Sequence, residues 1–383
     1  MDPYFEKYLK YKNKYINAKE KMIGGVGDAG ILGKGAAGEV HTLESFLSSV
    51  NDNDTINIYT GEKVTQVNTN SFILWMKNMN TDESKIIKKF LKKDKFMAEM
   101  FENQKVIEIY KSKPNLITLE NNNFNGTVPV HGVSINSYYI TFGKKCDPQY
   151  KITEVNLTGV IENLLESIKV INDAGYYHND IKPSNIIECS DGFKLIDWGA
   201  SNYVTEEDAK ACEQVQPKNI MGKTDACRKR GDPVFSSPVK LYFTFGTAMK
   251  DNIPKTTLDL ELLKHKPDWD YIDPGKIITL ESKDKSKQTK LTAIKKILDD
   301  QNIIFKKILN TSNQKTLYKT YYKSFDVYML GMTILHLIYK FDLEDNVYTK
   351  YKDLILSFIS LKSPLDIDGA INKFDELFRV IKK

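Results

Sequence analysis

The stretch HNDIKPSNII, His178 to Ile187, followed by LIDWG, Leu195 to Gly199, constrains this chain more than any other part of it. It sets Asp180, Lys182, Asn185 and Asp197 close together, with a short apolar strand between the third and the fourth. One carboxylate can take a proton from a hydroxyl, and a lysine two residues later can reach a transferring phosphoryl group. An amide oxygen and a second carboxylate suit Mg²⁺, a hard ion that takes oxygen ligands. A surface turn rich in Asn, Asp, Pro and Ser could carry the first part alone. The lysine, the amide and the following Asp-Trp-Gly together argue for a phosphoryl-transfer site.

These two pieces resemble the catalytic loop and metal loop of the eukaryotic-type protein kinases. The resemblance implies an α+β, two-lobed fold. A β-rich N-lobe, about 30–142, would meet a mainly helical C-lobe, about 147–383, through a hinge near Phe142 to Cys146. It implies ATP and Mg²⁺, with Asp180 as catalytic base, Lys182 on the moving phosphate, and Asn185 and Asp197 as metal ligands. In that family a lysine at position 182 marks serine/threonine acceptors, so a protein substrate is expected. The histidine at 178 is structural in the family, packing beneath the metal loop. Trp198 stands where Phe is usual, and the casein-kinase-two group shares that Asp-Trp-Gly.

Upstream, ILGKGAAGEV, Ile31 to Val40, fits G-x-G-x-x-G. Gly33, Gly35 and Gly38, with Lys34, Ala36 and Ala37 between them, would let backbone approach phosphates closely, and Val40 would cover the adenine. A dinucleotide-binding turn shares those glycines but wants a helix directly after them. The segment after Val40 is mixed, and the catalytic loop decides. SFILWMKNM, Ser71 to Met79, reads as an apolar strand ending in a lysine, so Lys77 is expected to hold the α/β-phosphates. Its distance from Val40 implies an insertion between the first strands. The glutamate that would pair with it lies in KFMAEMFENQKVIEI. Glu102, with apolar Val106 one helical turn on, is preferred to Glu99, which has Asn103 at that spacing.

GDPVFSSP, Gly231 to Pro238, resembles the segment that shapes the peptide-acceptor site in the same family. SFDVYMLGMTILHLI, Ser324 to Ile338, resembles its central C-lobe helix, where Asp326 would hold the catalytic-loop backbone. Asp326 stands 88 positions after Pro238, so a large insertion, about 240–320, is expected before that helix. Within it Leu291 to Leu309 has the apolar spacing of an amphipathic helix. Leu157 to Tyr177 has it too, with Gly175 near its end.

The chain departs from the family pattern in three places. Asn179 replaces the arginine that grips a phosphorylated activation segment, which implies activity independent of such a phosphate. Asp232 replaces a threonine and could lean on Asp180 and Lys182. Val239 replaces a glutamate whose arginine partner is also missing. Two other readings stand beside the kinase one. A pseudokinase would bind nucleotide or a partner without turnover. A small-molecule phosphotransferase is opposed by the GDPVFSSP and DVYMLG segments.

With 383 residues and 41% hydrophobic content, the chain suits one two-lobed domain, 26–383, behind a basic amphipathic leader helix, 1–25. YLKYKNKYINAKEKMIGG in the leader looks like the start of many proteins of nucleocytoplasmic large DNA viruses, which implies host cytoplasm or virion. Three arginines, Arg228, Arg230 and Arg379, stand among 55 basic residues, and the net charge is +5. The lysine run Lys85 to Lys95 reads as a solvated helix face, and the absence of arginine–aromatic clusters speaks against nucleic acid. Cys146, Cys189, Cys212 and Cys227 show no metal-ligand spacing and no disulfide-rich density, so a reducing compartment is the default. No apolar run is long enough to span a membrane.

Overall fold

The computed structural model describes residues 31–34, 38–79, 85–120, 122–146, 152–214, 235–240, 317–341 and 343–379, with scattered positions between 296 and 308. The expected leader helix, Gly35, Ala36, Ala37, Asp232 and most of the 240–320 stretch lie outside them. The expected helix at Leu291–Leu309 is touched only at those scattered positions, each of which is helical.

The architecture is α+β: an N-terminal antiparallel sheet precedes a mainly helical C-terminal region, and the chain divides into two compact units. Leu119–Lys145 and the described residues up to Phe101 belong to the first; Glu102–Thr118 and the described residues from Cys146 on belong to the second.

The first unit is built on a seven-stranded sheet and a separate two-stranded ribbon. β1 (Ile31–Lys34), β2 (Glu39–Thr42), β3 (Ile56–Thr60), β4 (Lys63–Val67) and β5 (Lys85–Phe90) come before β6 (Asn122–Phe124) and β7 (Val128–Val130), which pair with each other. β8 (Gly132–Ile135) and β9 (Tyr138–Lys144) complete the main sheet, whose order is β1-β2-β5-β9-β8-β3-β4. Helices α1 (Leu43–Leu47) and α2 (Thr69–Met79) carry part of its core. Phe46, Ile56, Ile58, Phe72, Trp75, Ile87, Val133 and Ile140 form one buried cluster. Trp75 anchors it, edge-on to Phe124 and Phe142, with its indole N–H donating to the Asn123 carbonyl at 2.8 Å.

Two sequence expectations fail here. Ser71–Met79 is not a strand. Phe72, Trp75 and Met76 are buried at helical spacing within α2, and the Asn68 side chain accepts from the Ser71 amide at 3.1 Å in the first turn. Lys77 sits exposed on that helix. The lysine run is a solvated helix face only at its end, where Lys93 and Lys95 are exposed in the first turn of a helix: Lys85–Phe90 is β5, inside the sheet between β2 and β9, with Ile87 and Phe90 buried. The long lysine stems accompany the strand while their ends find anions or rings, Lys89 lying 4.5 Å from the centre of Tyr138.

Helix α3 (Lys93–Ile109) starts in the first unit and ends in the second. In the second unit, α4 (Leu157–Asp173) buries Val160, Ile161, Leu164, Leu165, Ile168 and Ile171 along one face. It stops at Gly175, whose φ of +70° is the left-handed turn that glycine permits. Short strands β10 (Tyr176–Tyr177), β11 (Ile186–Cys189), β12 (Gly192–Leu195) and β13 (Asn202–Tyr203) follow, pairing β10 with β13 and β11 with β12. Then come α5 (Glu206–Gln214), α6 (Leu317–Tyr321), α7 (Phe325–Lys340), α8 (Asp345–Phe358) and α9 (Ile367–Phe378). α7 is buried through most of its length, as a central helix must be. Among the described residues no helix is long and apolar enough to cross a membrane.

Cys146 and Cys189 are joined in a disulfide across 43 residues of sequence. That differs from the reduced thiols expected of a reducing compartment. The pairing depends on folding that brings Cys146, two residues past β9, to the end of β11, which no local spacing announces.

Candidate active site

The catalytic-loop residues lie between β10 and β11. Asp180 accepts from Lys182 Nζ at 2.8 Å and from Asn185 Nδ2 at 2.9 Å, both on Oδ2. Asn185 Nδ2 also donates to the Asp180 carbonyl at 2.8 Å, closing a short loop on itself. Pro183 to Asn185 form one 3₁₀ turn, which swings Asn185 back under Asp180. Asn185 continues straight into β11, and its carbonyl receives the Ile196 amide at 3.0 Å, so Asp197 is set one residue beyond a fixed point. Asp197 has φ 65° and ψ 69°, a left-handed conformation uncommon for a residue with a Cβ.

The loop is held from below by α7. Asp326, wholly buried in its first turn, takes the Asn179 amide at 2.8 Å on Oδ1. Its Oδ2 takes the His178 amide at 2.9 Å and Asn172 Nδ2 at 3.1 Å. A carboxylate is favoured there because the helix N-terminus supports negative charge and the buried loop amides need an acceptor. This is the hold that the sequence led us to expect of Asp326.

His178 supplies no exposed base. It is buried, its Nε2 lies 3.2 Å from the Ile196 carbonyl, and its ring packs 4.6 Å from that of Trp198. Burial pushes its pKa below the ordinary imidazole value, against the pull of Asp326, Asp180 and Asp197. Trp198 packs in turn on Tyr110, whose hydroxyl donates to the Ser167 carbonyl at 2.6 Å.

Asn179 also has positive φ, 63°, which asparagine tolerates better than most side chains. Its Nδ2 meets the Tyr177 carbonyl at 3.0 Å, the Ala200 carbonyl at 3.4 Å and Asn202 Oδ1 at 2.6 Å. The residue therefore ties the loop to the chain beyond the Asp-Trp-Gly turn. Val239 is fully buried, an apolar replacement that leaves no lone charge inside. Arg379 pairs with Glu162 and Asp375.

In the first unit, β1 and β2 form the hairpin of the glycine-rich stretch, pairing Gly33 with Val40 and Lys34 with Glu39. A Cβ on Gly38 would collide with the Lys89 carbonyl oxygen, so this glycine allows β2 to lie against β5. β5 places Lys88 directly opposite Val40. Lys88 Nζ lies 2.7 Å from the Glu99 carboxylate on α3. A strand-borne lysine thus pairs with a helix-borne glutamate, Lys88 with Glu99. Neither Lys77 nor Glu102 is in that pair. Glu102 accepts from the Tyr176 hydroxyl and lies 3.7 Å from Lys105. The missed signal is Ile86-Ile87-Lys88, two apolar residues before a lysine, inside a run rich enough in lysine to hide it.

The residues expected to hold Mg²⁺ offer suitable chemistry. Both amide hydrogens of Asn185 are taken up by Asp180, which leaves its Oδ1 as an acceptor, and Asp197 adds a carboxylate. Among the described residues there is no cluster of three or more His, Cys, Asp or Glu arranged for a metal.

Compared with known proteins, the chain matches no protein-family model. It is 36% identical over 47 residues to a protein of Invertebrate iridescent virus 3, named provisionally as serine/threonine-protein kinase 040L. The match covers 12% of this chain and 14% of the viral protein. It carries a likeness to a kinase over a short stretch.

Proposed function

We propose that this protein is a serine/threonine protein kinase that transfers the γ-phosphoryl group of ATP to protein hydroxyls. The arrangement of Asp180, Lys182 and Asn185 over the Asp326 anchor carries this reading. Asp180 orients the acceptor hydroxyl and takes its proton as the new O–P bond forms. The bond between the γ-phosphorus and the bridging oxygen breaks, and ADP leaves. Lys182 already lies within hydrogen-bond distance of Asp180 and balances charge on the moving phosphoryl group. When bound, Mg²⁺ would neutralise phosphate charge, with Asn185 and Asp197 holding it. Gly33, Gly38 and Val40 on the hairpin serve the nucleotide. Lys88, fixed by Glu99, takes the role first expected of Lys77.

Labelled ATP, Mg²⁺ and a mixed set of protein acceptors test the reading. Label should appear on acceptor serine and threonine after acid hydrolysis. Nucleotide binding without transfer to any acceptor would make this a pseudokinase. Label found only on small hydroxylated compounds would make it a small-molecule phosphotransferase.

A further inference from the structure

Lys240 is buried, 3% exposed, although no lysine goes into a protein interior without cost. Before it in the chain, Phe235, Ser236, Ser237, Pro238 and Val239 are buried as well. Its Nζ donates to Asn179 Oδ1, the one polar atom of that side chain not engaged with β10, Ala200 or β13. It also lies 5.4 Å from the centre of the Phe325 ring, next to Asp326 in α7. The lysine therefore meets the catalytic loop at the residue beside the proposed base, and meets the first turn of the helix that anchors the loop.

We propose that Lys240 is a positioning residue for phosphoryl transfer: through Asn179 it pins segment 235–240 to the catalytic loop, so the loop is set by a cross-link built into the chain and needs no phosphate on it. The proposal rests on the kinase reading for its effect on rate, whereas the pinning itself stands on the contacts alone. The charges around Lys240 suit the role. Asp326 and Asp180 both attract it, and they oppose the burial that lowers its pKa to about 7.

The test uses the full chain and two variants. Lys240→Met keeps the apolar stem and removes the donor. Asn179→Gly removes the acceptor and suits the positive φ at that position, so it serves if Lys240→Met does not fold. Amide hydrogen exchange is read on peptides covering 178–182 and 235–240, and transfer kinetics are read at saturating and limiting ATP. Either variant should raise exchange in both peptides at least tenfold. Each should lower kcat at least tenfold while the KM for ATP stays within about twofold. Combined, they should lose no more than the worse one alone, as coupled residues do. Phosphatase treatment of the wild-type protein should leave its kcat unchanged. Wild-type exchange in both peptides with unchanged kcat would overturn the proposal, and so would a phosphatase-sensitive wild type. If the wild type transfers nothing, the kinase reading fails, and the exchange data still decide whether Lys240 pins the segment.

Discussion

Replacing Asp326 by alanine should unfasten the catalytic loop, and the structure sets the size of the effect. The carboxylate serves three donors: the His178 amide at 2.9 Å, the Asn179 amide at 2.8 Å and Asn172 Nδ2 at 3.1 Å. It is 0% exposed, so water cannot take over without opening the fold. A hydrogen bond to a charged group contributes about 1.5–3 kcal/mol, and a buried donor left bare costs about 1–3 kcal/mol. These describe one loss from two sides and are not summed. Partial relaxation and relief of the carboxylate's own desolvation reduce it. Lys240, held partly by Asp326, loses support and adds to it. The net expectation is about 3–5 kcal/mol for Asp326→Ala. Asp326→Asn keeps one carbonyl oxygen but turns an NH₂ group toward an N–H donor, so about 2 kcal/mol is expected. Urea unfolding gives the loss of stability, and amide exchange gives its location. Exchange at His178 and Asn179 should quicken by about a hundredfold or more, since 1.4 kcal/mol is a factor of ten. If both amides in Asp326→Ala exchange within threefold of wild type and the urea midpoint is unmoved, the anchoring argument is wrong.

Three further outcomes follow from the same geometry. Lys88→Met should cut phosphoryl transfer by about a hundredfold or more, whereas Lys77→Met, changed on an exposed helix face, should stay within about twofold; kcat/KM for ATP distinguishes them. Lys240 titrates near 7 folded against an ordinary 10.5, so between those values the unfolded chain binds a proton that the folded chain does not, and stability rises with pH. Wild type should therefore gain on Lys240→Met by up to about 1.4 kcal/mol per pH unit above pH 7 in paired urea titrations, and a flat difference would contradict the assignment. Reductant should destabilise the oxidised protein by up to about 4 kcal/mol, the chain-entropy value for closing a loop of this length, and Cys146→Ser/Cys189→Ser should be insensitive to it.

The parts of the site that could be read from sequence are those made locally. Asp180, Lys182, Asn185 and Asp197 sit within a single turn-and-hairpin stretch, where spacing alone nearly fixes geometry. Asp326 was legible because its segment resembles the kinase family's central helix, and an acidic residue suits that helix start. Gly175 marked the end of α4 for a comparable reason. Lys77 misled because Phe72, Ile73, Leu74, Trp75 and Met76 form a continuous apolar run that suits a buried strand or a helix equally. The buried positions 72, 75 and 76 decide for the helix. Lys88 was concealed by its neighbours, since a sheet-borne lysine and a solvated one look alike in a lysine-rich chain. The Cys146–Cys189 bridge and the meeting of Lys240 with Asn179 arise from residues far apart in sequence, so only the fold brings them together. The division into two units suits the two-lobed organisation proposed from sequence.

The most direct test of the central claim compares wild type with Asp180→Asn, measuring transfer of label from ATP to protein serine and threonine alongside ATP affinity. Asparagine keeps an oxygen for Lys182 and Asn185 but cannot take the hydroxyl proton as a carboxylate does. The proposed mechanism predicts that kcat falls by about 10²–10⁴-fold while ATP binds as before. Equal transfer by the two proteins would contradict it.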